Sequence, residues 1–176
     1  VQAALTGHLV LSTLHTNDAA GAISRLINLG IPAFLVASAL LGTVAQRLIR
    51  TVCNKCKKAY TPTAKELGRL LGPGVPPSFC DGLQNAEKTE NAQLYQSAGC
   101  NHCYQTGYSG RKAIYEILCV SSRIRKMIMN SDSDDAIKKQ AVSEGMKTLQ
   151  KSGVEQVSNG STDVEELLRL IDMRTK

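Results

Sequence analysis

Four cysteines constrain this chain more than any other feature. Cys53-Asn54-Lys55-Cys56 and Cys100-Asn101-His102-Cys103 form two C-x-x-C pairs. Each pair can build a knuckle whose sulfurs converge from one turn, and two knuckles complete a tetrahedral four-thiolate zinc site. Such a site locks together two segments that are distant in sequence. The gap from Cys56 to Cys100 exceeds the roughly 15–20 residues of the usual ribbon spacing, so the chain between must bulge outward. Pro73, Pro76, Pro77 and the polar run 82–93 suit a mobile loop there. Four thiolates leave no open position for substrate, so the expected role is structural. Lys55, Lys57, Lys58 and His102 are expected to favour the thiolates and offset their charge. The alternatives are a redox dithiol, which lacks thioredoxin-like surroundings, and disulfides, for which a secretion signal is missing. Cys80 reads as an idle loop thiol and Cys119 as core filler in an apolar strand.

The 176 residues suffice for one ordinary domain or two small ones. With 43% hydrophobic and 20% charged residues, the composition excludes wholesale disorder. Two Phe, five Tyr and no Trp weaken any reading built on base-stacking platforms. The chain opens on Val1 and enters core-like sequence at once, which is expected of a piece of a longer protein. The apolar run 8–13 reads as a buried strand of a parallel sheet. A polar loop, 14–18, follows, in which Asn17 or Asp18 can cap a helix over 19–29. Gly30 stops that helix and Pro32 opens the next. The uncharged stretch between Arg25 and Arg47 is broken by Pro32, leaving about 10–14 apolar residues, the length of a buried core helix and not of a membrane span. Beyond the second cysteine pair, 113–118 suggests a short strand. Helices are expected at 121–130, 133–144, 146–159 and 162–173, the last opened by the capping box Thr162-x-x-Glu165. The fold class is therefore α/β: the end of a parallel-sheet domain over 1–50, a tetracysteine subdomain over 51–112 and a mainly helical region over 113–176.

His15 lies just past the carboxyl end of the first expected strand, where open α/β sheets place ligands. Thr13, His15, Thr16 and Asn17 are thus placed to sense a phosphate or a catalytic water, or else to cap the strand by hydrogen bonds. His8 sits at the strand's other end. Arg47, Arg50, Lys55, Lys57 and Lys58 fall in a window without acidic residues, and the chain carries a net charge of +6. That stripe can attract nucleic acid or anionic lipid, or form a solvated edge beside an anionic metal cluster. Arg47, directly after the expected apolar helix, is the cation expected to be held rigidly. A basic zinc-ribbon module that binds nucleic acid remains the alternative function, although no reading head is evident.

The segment from Thr6-Gly7-His8 through Leu14-His15-Thr16-Asn17-Asp18-Ala19 resembles the His box of the secretion ATPase superfamily. Ala45-Gln46-Arg47-Leu48-Ile49-Arg50 before the first pair, and Gly107-Tyr108-Ser109-Gly110-Arg111 with Ile114-Tyr115-Glu116 after the second, resemble its tetracysteine-containing branch, which serves type II secretion and type IV pilus assembly. Gly160-Ser161-Thr162-x-x-Glu165-Glu166-Leu167-Leu168-Arg169 resembles that branch's final helix. The resemblance implies the C-terminal end of a RecA-like motor domain. The motor's hexameric ring hydrolyses ATP with Mg on the cytoplasmic face of a bacterial inner membrane and engages a platform protein there, with no specific nucleic acid. It implies that His8 and His15 lie near the γ-phosphate as groups accessory to hydrolysis that couple it to subunit motion, and that Cys53, Cys56, Cys100 and Cys103 bind zinc; Thr13 and Arg47 stand beside the two histidines as further candidate catalytic residues. The chain contains no Gly-x-x-x-x-Gly-Lys-[Ser/Thr], the loop that cradles phosphates. The 176 residues alone are therefore expected to be inactive, and only the full-length parent to bind and hydrolyse ATP.

Overall fold

The computed structural model describes residues 1–71 and 93–172. The expected loop residues 82–92 and Cys80 lie outside that set. The chain is mixed α/β and divides into two compact units, 1–46 with 115–149, and 47–114 with 150–176. Two long strands, β1 (Gly42–Val52) and β4 (Tyr108–Cys119), contribute to both. Their pairing is antiparallel: Val120 N–H donates to the Leu41 carbonyl at one end, and Cys53 N–H to the Gly107 carbonyl at the other.

The first unit contains α1 (Gln2–Leu5), α2 (Gly21–Asn28) and α3 (Ala33–Ala39), then α5 (Ser122–Met129) and α6 (Asp134–Ser143). Its core joins Ala20, Ile23, Val36, Leu118, Ile124, Ile128 and Ile137. Ser121 caps α5 by accepting from Ile124 N–H, and Ser133 caps α6 by accepting from Ala136 N–H. Arg125 donates to the Ala37 and Ser38 carbonyls, satisfying the end of α3. Asp18 takes the capping position expected of it, accepting from Gly21 N–H at 3.0 Å.

Three expectations fail here. Residues 8–13 form no strand, and Leu9 and Leu11 are 78% and 89% exposed. A parallel strand needs neighbours to take its backbone groups and cover its faces, and among the described residues none pairs with it. The long core helix is also shorter than expected: α3 has seven residues, and the chain enters β1 at Gly42. Arg47 accordingly lies within a strand and does not follow a helix. Cys119 is exposed and fills no core, because β4 alternates and Leu118 is the residue facing inward.

The second unit holds β2 (Lys58–Tyr60), α4 (Ala64–Leu71), β3 (Leu94–Gln96), most of α7 (Leu149–Ser158) and α8 (Val164–Asp172). β2 and β3 pair antiparallel with Ala59 opposite Tyr95. Leu70, Leu94, Val154, Val157, Val164 and Leu167 form its core. Gly153 lets α7 and α8 approach, since a Cβ there would lie 2.3 Å from Leu167 Cδ1. The cap of α8 is one residue later than expected. Asp163, not Thr162, accepts from Glu166 N–H at 2.9 Å, and the Thr162 hydroxyl donates instead to the Arg50 carbonyl at 2.8 Å.

Candidate metal centre

The first knuckle leaves β1 at Cys53, where the N–H groups of Cys56 and Lys57 both donate to the Cys53 carbonyl. The second is a single 3-10 turn, Asn101–Cys103, followed by left-handed Tyr104 and Gln105. Gln105 N–H donates back to the Cys100 carbonyl and closes that turn. Gly107 joins the two knuckles through its backbone. Its N–H donates to Cys103 Sγ at 3.3 Å, and its carbonyl accepts from Cys53 N–H at 2.9 Å. Only glycine suits this position, with φ +78° and Ser97 Cβ 2.6 Å from where a Cβ would stand.

The four sulfurs converge within 4.8 Å of one another. Cys53 to Cys100 is 4.0 Å, Cys56 to Cys103 is 3.8 Å and Cys100 to Cys103 is 3.7 Å. A tetrahedron with metal–sulfur bonds of about 2.3 Å has edges of about 3.8 Å, so the cage has the dimensions of a four-thiolate metal site. A disulfide needs sulfurs about 2.05 Å apart, and these distances are far from it. Cys53 and Cys103 are buried and Cys56 and Cys100 half-buried. The four cysteines are thus positioned to hold a metal ion.

Burial pushes the Cys103 thiol up, but the N–H groups of Cys100 and Gly107 outweigh it and bring the thiol down to about 6. Burial raises Cys56 to about 11, with the neighbouring sulfurs adding to the rise. The thiolate preference at Cys103 therefore comes from backbone dipoles. Lys57, expected to serve the cluster, instead places its ammonium 4.4 Å from the Tyr95 ring and 3.5 Å from the Gly160 carbonyl.

Behind the cage lies a polar network that the sequence did not announce. Fully buried Glu166 accepts from Arg50 N–H at 3.1 Å and from the Arg50 guanidinium at 2.5 and 2.8 Å; Arg169 adds two bonds at 2.9 Å. Burial pushes its carboxyl up, but the donors of Arg169 and Arg50 hold it down at about 2. Arg50 also stacks 4.0 Å from the Tyr108 ring centre, and the Tyr108 hydroxyl donates to Asp163. Burial and the Asp163 carboxylate push Tyr108 up to about 12. Asp163 further accepts from Ser97 N–H at 3.2 Å. The ends of β1, β3, β4 and α8 are therefore tied together next to the cysteines. Glu166 and Tyr108 stood within quoted motifs, but nothing in the spacing marked them as partners.

The other expected site residues are distributed differently. His8, Thr13 and His15 share one exposed stretch of the first unit. His8 Nδ1 lies 3.2 Å from both the Ala3 carbonyl and the Thr6 hydroxyl. Arg47 is half-buried in β1 and belongs to the second unit.

Known proteins resemble this chain along nearly its whole length. It is 45% identical over 167 residues to the type IV pilus assembly ATPase PilB of Thermus thermophilus, a match covering 95% of this chain and 17% of that protein. It is 41% identical over 168 residues to the type IV pilus assembly ATPase PilB of Myxococcus xanthus, covering 96% and 28%. Type II secretion system protein E of Pseudomonas aeruginosa is 41% identical over 171 residues, covering 97% and 31%. The chain spans about a sixth to a third of the length of these relatives. The family model described as type II/IV secretion system protein matches residues 1–169. With that match and the paired cysteines meeting as one cage, the chain belongs to the type II/IV secretion system protein family.

Proposed function

We propose that this chain is the C-terminal part of a hexameric motor ATPase that drives assembly of a pilus or pseudopilus. The observation that carries the reading is the match over residues 1–169 to a family whose relatives here are pilus assembly and type II secretion proteins. In sequence terms, 1–50 would close a RecA-like parallel-sheet domain, 51–112 would be the metal-binding subdomain and 113–176 the helical subdomain. The exposed apolar run at Leu9 and Leu11 supports the first of these, because strand-like sequence with uncovered faces suits a place in a larger sheet.

In this reading His8 and His15 lie near the γ-phosphate, accessory to hydrolysis, and couple it to subunit motion, with Thr13 and Arg47 as further candidate catalytic residues. Both histidines are exposed, as side chains that receive a ligand from another part of the parent must be. Zinc fits the cage by ligand type and by sulfur spacing. It would offset half of the thiolate charge and brace the ends of β1 and β4, and a closed site of this kind takes no part in nucleotide chemistry. Lacking a phosphate-cradling loop, residues 1–176 alone would be inactive. The parent would work in the cytoplasm against an inner-membrane platform protein. Among the described residues no helix is long and apolar enough to cross a membrane.

The test is His15→Ala in the full-length parent, followed by steady-state ATP turnover. The expected result is a fall in kcat of about 10²-fold, in the general acid–base range, with little change in KM. Equal weakening of both would assign His15 a structural role. DNA binding by the zinc-loaded chain tighter than the roughly 10⁻⁴–10⁻⁶ M non-specific range would favour the nucleic-acid module instead.

A further inference from the structure

Glu116 is fully buried, yet it takes no part in the metal centre. Its two carboxyl oxygens accept from two backbone amides, Ala19 N–H at 2.9 Å and Leu149 N–H at 3.1 Å. The Ala19 carbonyl is held from another direction, by the Thr43 hydroxyl at 2.8 Å. Both polar groups of the Ala19 backbone are therefore taken by side chains, one from β4 and one from β1. Ahead of the helix, where the backbone has no intrahelical partners, these two side chains satisfy it.

Ala19 is also where the chain passes from loose to fixed. Residues 8–15 have no regular structure and mostly exposed side chains. From Thr16 onward the chain is pinned repeatedly. The Thr16 hydroxyl donates to the Asp18 carbonyl at 3.1 Å, and Asp18 accepts from Gly21 N–H and pairs with Lys138 at 2.7 Å. Ala19 is buried in the clamp, four residues after His15. Any shift of Ala19 moves the C-terminal end of the His15 loop, four residues from the histidine, and reactive groups displaced by about 1 Å can lose about 10²-fold in rate.

We infer that Glu116 and Thr43 are positioning residues that clamp the Ala19 peptide from both sides and so aim the His15 loop. The inference rests on the motor reading above. It assigns no contact with nucleotide to either residue; both act through the backbone.

The test uses the full-length parent with Glu116→Gln, Thr43→Val and Thr43→Ser. An amide offers one acceptor oxygen where the carboxylate offers two, so Glu116→Gln releases one of the two amides. Thr43→Val keeps the shape and deletes the hydroxyl, and Thr43→Ser restores it. Amide hydrogen exchange of peptides covering 14–20 is expected to speed up in Glu116→Gln and Thr43→Val and to return to the wild-type rate in Thr43→Ser. In step with it, kcat for ATP should fall about tenfold while KM stays within about twofold. If Glu116→Gln does not fold, the Thr43 pair decides. An active parent in which Thr43→Val leaves both exchange and kcat unchanged, or speeds exchange without lowering kcat, overturns the inference alone. A wild-type parent that releases no phosphate from ATP overturns the motor reading and this inference with it.

Discussion

Glu166 is the residue on which the second unit leans most. It is buried, carries five hydrogen bonds from Arg50 and Arg169, and its carboxyl is held at about 2. A glutamate in an unfolded chain titrates at about 4.3. The stability it contributes is therefore complete above that value and lost as pH falls through about 2. Denaturant unfolding measured between pH 5 and pH 2 is expected to show this loss in the wild type and a flatter profile in Glu166→Gln. At neutral pH that substitution should cost about 1.5–3 kcal/mol, the range for hydrogen bonds to charged groups. The four metal ligands were legible in the sequence because their spacing is itself the signal. Glu166, Glu116 and Asp163 were not, because a lone acidic residue looks the same whether it is solvated or buried. Their long-range partners are 33 to 116 positions away along the chain.

Among the elements, the α7–α8 pair gives the sharpest prediction. Gly153 leaves no room for a side chain beside Leu167. Gly153→Ala should destabilise by about 1–3 kcal/mol through overpacking, despite the gain of nearly 1 kcal/mol in helix propensity; thermal unfolding of the pair measures the difference. The helices α2, α3, α5, α6, α7 and α8 were legible from apolar spacing and caps. β1 was not, because outward-facing Val44 and Leu48 are apolar as well, which hides the period of two. α4 was missed although Thr63 and Glu66 form a reciprocal capping box before Leu67 and Leu70. Run 8–13 has the composition of a strand, but pairing partners decide whether a strand forms, and those are not written locally.

In the proposed reading, metal and chemistry are separate at the scale of the whole molecule. The cage braces the ends of β1 and β4, so stripping the metal with a chelator should accelerate amide exchange over 51–60 and 98–108. Exchange in the core helices α5 and α6, which belong to the other unit, should hold. Native mass spectrometry should find one zinc for each chain before stripping and none after. Nucleotide chemistry would belong to the parent, which would supply the phosphate-cradling loop absent from these 176 residues. The decisive measurement is phosphate release from ATP by the full-length parent beside the 176-residue chain. Turnover by the parent, and none by the chain alone, is the expected result. A parent without turnover, or a chain that hydrolyses ATP by itself, would contradict the motor reading.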